Sequence, residues 1–283
     1  MVRYGSSSQQ TVFRGTEPLS NDVIARYAPS VLAESAHESR GERYSFIPTI
    51  QVLDGLRNEG FMPYEVRQTR VRDQSKREHT KHLVRLRHAN SLVSTEEVPE
   101  IILVNSHDGS SSYQLFAGVF RFVCANGLIA GDVIDDVRVR HSGNVVDNVI
   151  EGSFRVLETS NQIAERIGGY KAISLSEPEQ QLFANAALQL RWDGQAPVAA
   201  DRVLRANRWD DRKTDLWTTF NRVQENLIKG GVSGRSATGR RMSTRAVGGV
   251  NENVKLNRAL WSLADGLAQL KSNTVDIEEL VAA

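Results

Sequence analysis

The spacing of apolar and polar positions changes twice along the chain, and the changes divide it into elements. Ser20 can cap a short helix over Asn21–Tyr27, which the Ala28-Pro29 step ends because the residue before proline avoids the helical region. Thr49 is placed to cap a second helix, Ile50–Asn58, with Gly60 where helices commonly stop. The period then shortens to two. Phe61–Arg72 reads as extended, and in His82–His88 the residues Val84 and Leu86 fall on one side while Leu83, Arg85 and Arg87 fall on the other. That alternation predicts a strand with one largely cationic face. The polar stretch Asp73–Lys81 joins the two strands as a long hairpin connection. Pro99–Ser106 is a third strand, closed by the turn residues His107-Asp108-Gly109. Tyr113–Cys124 is a fourth, with Asn126-Gly127 as a turn signal, and Asp136–His141 is a fifth.

From Val145 the spacing lengthens again. Val146, Val149, Ile150, Leu157, Ile163 and Ile167 predict one long helix over Val145–Ile167, with Gly152 its weak point. Ser176-Glu177-Pro178-Glu179 has the form of a capping box ahead of Leu182, Phe183, Ala186, Ala187 and Leu190. Leu216, Phe220, Val223 and Leu227 make a helical stripe. Leu256, Leu260, Leu263, Leu267 and Leu270 make a seam that either packs on the Leu216–Leu227 helix of the same chain or joins two copies, and a homo-oligomer is expected through it. The predicted fold is therefore α+β: an antiparallel β-meander, a long crossing helix and a helical C-terminal half. Residues 1–170 form the α+β core domain and 171–283 the helical region.

Length and composition permit this and narrow the class. The 283 residues suffice for one large domain or two small ones, and no run is long and apolar enough to cross a membrane. Cys124 is the only cysteine, which excludes an internal disulfide and fits a reducing cytoplasm.

Charge changes the picture more than composition does. The chain carries only +1 overall, yet Arg67–His88 holds eight basic residues against two acidic, and Lys229–Arg258 seven against one. A mildly acidic body with two cationic segments is what a protein meeting a polyanion at defined places requires. Lys229–Gly249, with six glycines, five basic residues and no acid, reads as a flexible cationic loop. The candidate phosphate contacts are Arg70, Arg72, Lys76, Arg77, Lys81, Arg85, Arg87, Arg121, Arg138 and Arg140, with Lys229, Arg235, Arg240, Arg241, Arg245 and Lys255 from the second segment. Tyr113, Phe116, Phe120 and Phe122 can stack bases, but aromatics on an apolar strand are core by default, and Trp192, Trp209, Trp217 and Trp261 read as packing residues.

Catalytic constellations are weak. Ser106, His107 and Asp108 are consecutive, whereas a triad needs side chains converging from separated positions. His79 and His82 have ligand-like spacing without a third ligand motif nearby, and Cys124 ends an apolar strand, where a packing role is the default. No Walker loop and no paired-carboxylate spacing occurs, so neither a metal nor a cofactor is expected.

Three blocks, Asn105–Leu128, Arg138–Gly152 and Gly239–Trp261, resemble the phage- and plasmid-like proteins of the domain-of-unknown-function 932 family. The group Arg121, Cys124 and Asn126-Gly127 is the most specific part. The resemblance implies a setting of mobile DNA in bacteria and brings no catalytic residue with it. The order of elements is also similar to the core of single-strand annealing proteins of the Red-beta and RecT kind, an analogy of fold alone. The expectation is a non-catalytic DNA-binding protein of a prophage or plasmid, with single-stranded DNA as favoured partner and a role in recombination. The alternatives are a protein-interaction module that antagonises a host defence or repair enzyme, and an enzyme with a dispersed acidic site.

Overall fold

The alternating segments pair with their neighbours in sequence. In the computed structural model, which describes residues 11–40, 44, 46–71, 73–91, 97–122, 126–130, 137–139, 144–236 and 238–282, the first elements are β1 (Val12–Arg14), α1 (Asn21–Tyr27) and α2 (Thr49–Asn58). The strands β2 (Phe61–Gln68), β3 (His82–His88), β4 (Glu97–Asn105) and β5 (Tyr113–Arg121) follow. Next come β6 (Asn126–Ile129), β7 (Val137–Val139) and α3 (Val145–Glu158). The sheet runs β1-β2-β3-β4-β5 in meander order, and β7 pairs antiparallel with β5. With its helical C-terminal half, the fold is α+β as the sequence predicts.

Contacts divide the chain into two units. One is Met1–Phe120 with Asp136–Glu158 and Gly248–Val250; the other is Arg121–Asp135 with Thr159–Val247 and Asn251–Ala283. In the first, α2 packs on α3, and α3 on β4 and β7. Val52, Leu53 and Leu56 of α2, Val149 and Val156 of α3, and Val66, Val84, Leu86 and Leu103 of the sheet are all buried. At Gly152 α3 lies close against the strands: a Cβ there would lie 2.7 Å from Val137 and 2.8 Å from Leu115. What looked in the sequence like a weak point in a helix is the contact that lets it sit on the sheet.

Three sequence expectations are corrected, and one strand escaped the sequence reading. The helix predicted over Val145–Ile167 is two, α3 ending at Glu158 and α4 (Ser160–Ala172) beginning after Thr159, and the two belong to different units. Asn126-Gly127 opens strand β6 rather than forming a turn. Strand β1 had no sequence signal strong enough to find it, since three residues cannot show a period. Thr49 does not cap α2; Pro48 stands at the cap, and the Thr49 hydroxyl points into the core. Ser20, by contrast, caps α1 through the Val23 N–H.

The second unit continues with α5 (Glu177–Arg191), α6 (Ala200–Val203), α7 (Leu216–Lys229), β8 (Ser233–Arg235), β9 (Arg241–Ser243) and α8 (Val250–Ala282). Its centre is α7, buried on every side from Leu216 to Ile228. Trp217 and Phe220 stack with ring centroids 5.6 Å apart, and Trp261 of α8 meets both edge-on. Leu256, Leu260 and Ala264 are buried in the same unit, so the first half of the leucine seam is used within the chain; Leu270, at its far end, is 66% exposed. The capping box at Ser176 and Glu179 forms as expected. Among the described residues no helix is long and apolar enough to cross a membrane.

At one end of the sheet's helix-covered face the core is polar. The Thr49 hydroxyl lies 3.0 Å from His82 Nε2, 3.0 Å from His107 Nε2 and 3.3 Å from the Tyr113 hydroxyl, and it accepts from Asn105 Nδ2 at 3.0 Å. His82 Nδ1 is 2.9 Å from Ser30 Oγ, and Ser30 donates to Gln68 Oε1 at 2.8 Å. Burial pushes the His82 pKa down to about 4, against smaller upward pulls from the Thr80 carbonyl and Asp108.

Two outcomes follow from this packing. Gly152→Ala should cost about 1–3 kcal/mol in denaturant unfolding, because overpacking against Val137 and Leu115 exceeds the gain of about 1 kcal/mol in helix propensity. A neutral buried His82 favours the folded state fully above its unfolded pKa of about 6.5, and that advantage shrinks as pH falls toward 4. This one group should remove about 3 kcal/mol of stability across that window. His82→Gln should flatten the pH dependence of the unfolding midpoint, and an unchanged slope would refute the assignment.

Candidate nucleic-acid interface

The arginines of β2 and β3 do not face solvent. On β3, Arg85 lies opposite Glu65 of β2 and Ile102 of β4, and a bulge between Pro63 and Glu65 sets that register. Arg14 on β1 is opposite Glu65 from the other side. The result is a buried charge ladder across four strands. Arg14 Nε donates to Glu65 Oε2 at 2.7 Å, Arg85 Nε is 3.5 Å from the same oxygen, and Arg67 reaches Glu65 Oε1 at 3.4 Å. Arg85 Nη1 donates to Glu100 Oε2 at 2.9 Å and Arg87 Nε to Glu100 Oε1 at 3.0 Å. The Arg87 guanidinium also lies 3.8 Å from the centroid of Phe120 and 4.3 Å from that of Tyr64. Burial pushes the Glu65 carboxyl up, but Arg14, Arg85 and Arg67 together outweigh it and hold its pKa at about 2.

Arg85 and Arg87, expected on a cationic surface, are therefore structural. Their exposures are 1% and 2%, so neither can reach a phosphate. Arg121 is corrected for the same reason: it is buried and donates to Asp211 Oδ1 at 2.9 Å. Tyr113, Phe116 and Phe120 are core residues, and Phe122 is exposed. Of the other candidates in the first unit, Arg70, Lys76 and Arg138 are exposed, while Arg77 and Lys81 are half-buried. Arg72, Arg140 and Cys124 lie outside the described residues. Arg138 borders a cleft of about 300 Å³ between β7 and α3, which also holds Glu151 and Arg155.

Ser106 and Asp108 hydrogen-bond within one turn, but His107 points to Thr49 instead, so the three form no triad. Ser106 Oγ accepts from the Ser111 N–H, His107 meets Thr49, and Asp108 accepts from the Ser110 N–H. His79 packs edge-on against His37, and His82 is in the core. Among the described residues no group of three or more His, Cys, Asp or Glu is placed to hold a metal.

The second cationic segment is organised differently. The stretch read as a flexible loop contains the hairpin β8–β9, a correction with a local cause. The Arg235 N–H donates to the Pro197 carbonyl at 2.8 Å, and a Cβ at Gly234 would lie 2.0 Å from that oxygen. Glycine here permits the hairpin to lie against residues 195–199 instead of leaving it loose. Arg235 and Arg241 are directly opposite across the hairpin and both exposed. Between the hairpin and residues 195–199 runs an open groove of about 1190 Å³, lined by Arg202, Arg235 and Arg241 with Gln195, Ser233, Ser236, Met242 and small residues; among the described residues no carboxylate lines it, although Arg202 Nε lies 3.6 Å from Asp201 Oδ2. A second cavity of about 360 Å³ shares Arg202 and Ser233 with it and adds Arg205, Asn207, Lys229 and Glu225. Lys229 is tied to Glu225 at 2.8 Å, and Arg240, Arg245 and Lys255 are exposed.

Sequence reasoning missed Arg202 and Arg205. Asp193, Asp201, Asp210 and Asp211 are interleaved with the arginines there, so the local charge sum stays small although the groove wall is cationic. It also misplaced Trp209, which is 76% exposed, whereas Trp217 and Trp261 are in the core as expected.

Comparison with known proteins places the chain in a family. The description "Domain of unknown function (DUF932)" matches residues 36–261. The chain belongs to the DUF932 family. Among its relatives are the UPF0380 proteins YafZ and YfjQ of Escherichia coli strain K12, each 49% identical over 266 residues, covering 94% of this chain and 96% of the relative. No solved structure matches. For this DUF932 member the hairpin groove lies within the matched span.

The different roles of the two sets of arginines can be measured. Arg85→Ala leaves Glu65 and Glu100 short of a buried partner and should cost about 3–5 kcal/mol in denaturant unfolding. Arg240→Ala, at an exposed position, should change stability by no more than about 0.5 kcal/mol.

Proposed function

We propose that this protein binds DNA without catalysis, in the cytoplasm and in the service of a mobile element, and that the groove beside the β8–β9 hairpin is its contact surface. The observation that carries the reading is the pair Arg235 and Arg241. Like charges directly across a hairpin repel and destabilise it, and Arg202, whose guanidinium is 3.6 Å from the exposed Asp201, adds a third cation to a groove lined, among the described residues, by no carboxylate. A polyanion relieves that repulsion, and guanidinium forks suit its phosphate oxygens. The exposed Arg240, Arg245 and Lys255 extend the positive surface, and Arg70, Lys76 and Arg138 of the first unit are secondary contacts. Self-association belongs to the same reading, since several copies on one strand gain avidity without new contacts. Leu270 is the exposed part of the seam that would serve it.

The test is binding of labelled oligonucleotides across a salt series. Affinity should fall steeply with salt, by a logarithmic slope of roughly 0.7 to 0.9 for each phosphate neutralised. Replacing Arg202, Arg235 and Arg241 together with alanine should weaken binding and lower the slope by about two to three such contacts. No salt-dependent binding by the parent protein would sink the proposal and leave the protein-interaction reading in its place.

A further inference from the structure

Beyond the groove, Trp209 has a setting that core packing does not explain. Single exposed aromatics are ordinary on protein surfaces; an exposed tryptophan on a rigid base with a guanidinium over its ring is not. The backbone on both sides of Trp209 is pinned. Arg208 forms two hydrogen bonds to Glu225, at 2.8 and 2.6 Å, and a third to Asp211 Oδ2 at 2.8 Å. Asp211 is itself buried, held by Arg121 at 2.9 Å. The Arg212 N–H closes a tight turn on the Trp209 carbonyl at 3.1 Å. Upstream, Asn226 Nδ2 donates to the carbonyls of Val203 and Arg205 at 2.8 and 3.0 Å, fixing the strand of chain that lines the smaller cavity. Trp209 stands out from this pedestal, 76% exposed as a residue, and the Arg212 guanidinium lies over its ring, 4.4 Å from the centroid.

We infer that Trp209 is a base-stacking platform for single-stranded nucleic acid, positioned so that a strand whose phosphates follow the basic groove places one unpaired base on the indole. This rests on the groove reading above and adds the strand preference to it. Stacking needs an unpaired base, because the faces of bases inside a duplex are covered by their neighbours. It is tolerant of sequence, because every base has a π-face. Arg212 covers one face of the indole, so the base takes the opposite face, and the fixed backbone means that little ordering is needed on binding.

The experiment compares the parent protein, Trp209→Ala and Trp209→Phe on a 20-nucleotide oligothymidine, on a strand of the same length without bases, and on a duplex. Trp209→Ala should weaken binding to oligothymidine about ten-fold, the order expected for loss of one base–aromatic stack, while Trp209→Phe stays within about three-fold of the parent. The duplex and the base-free strand should be bound equally by parent and variants, with thermal unfolding unchanged. If Trp209→Ala binds oligothymidine as the parent does, or loses affinity equally for all three probes, the platform is wrong and the groove reading survives. If the parent binds none of the probes, the groove reading falls and the platform with it.

Discussion

Two glutamates buried inside a β-sheet set the terms for the first half of this molecule. Glu65 and Glu100 are removed from water, a cost of several kcal/mol each unless cations are brought to them with good geometry. Arg14, Arg67, Arg85 and Arg87 come from three strands to do so, and the bulge between Pro63 and Glu65 brings Glu65 opposite Arg85. A register slip of one residue would turn these charges onto the face packed against α2 and α3, among Val84, Leu86 and Leu103. The ladder therefore fixes register more firmly than apolar alternation alone can. Its Coulomb attraction offsets desolvation without a large net gain, so its main contribution is specificity.

That internal demand for cations reshapes the outer surface. The stretch Arg67–His88 is the more basic by count, but three of its arginines are consumed by the sheet. The glycine-rich stretch has no acids to neutralise inside, and its arginines stay in solvent along a groove. The second unit has its own buried ionic network: Asp211 between Arg121 and Arg208, with Arg208 carried on to Glu225. This network stiffens a surface segment rather than a strand register. Both units thus use buried ion pairs as scaffolding, and the charges available for recognition are those the scaffold leaves over.

Much of the fold is legible in the sequence because local patterns and tertiary packing agree there. The strand His82–His88 and the helices Asn21–Tyr27 and Leu216–Lys229 come from period and capping residues whose effects are confined to neighbours along the chain. Period assigns faces and not environments, however. Alternation correctly places Arg85 and Arg87 on one side of their strand, and only the arrival of Glu65 and Glu100 from separate strands makes that side an interior. In the same way an apolar stripe predicts helix over Val145–Ile167, but the break at Thr159 appears only where the chain passes from one unit to the other.

What the sequence determined by itself was the class α+β, the meander order, the helical second half and the presence of concentrated positive charge. What the tertiary structure decided was which charges are buried, which tryptophan is left outside, and that a glycine-rich stretch closes into a hairpin against residues 195–199. The physical reason is the range over which each is fixed. Backbone conformation depends on residues a few positions apart, whereas exposure of Arg85 or Trp209 depends on partners such as Glu100 and Glu225, 15 or more positions away in the chain.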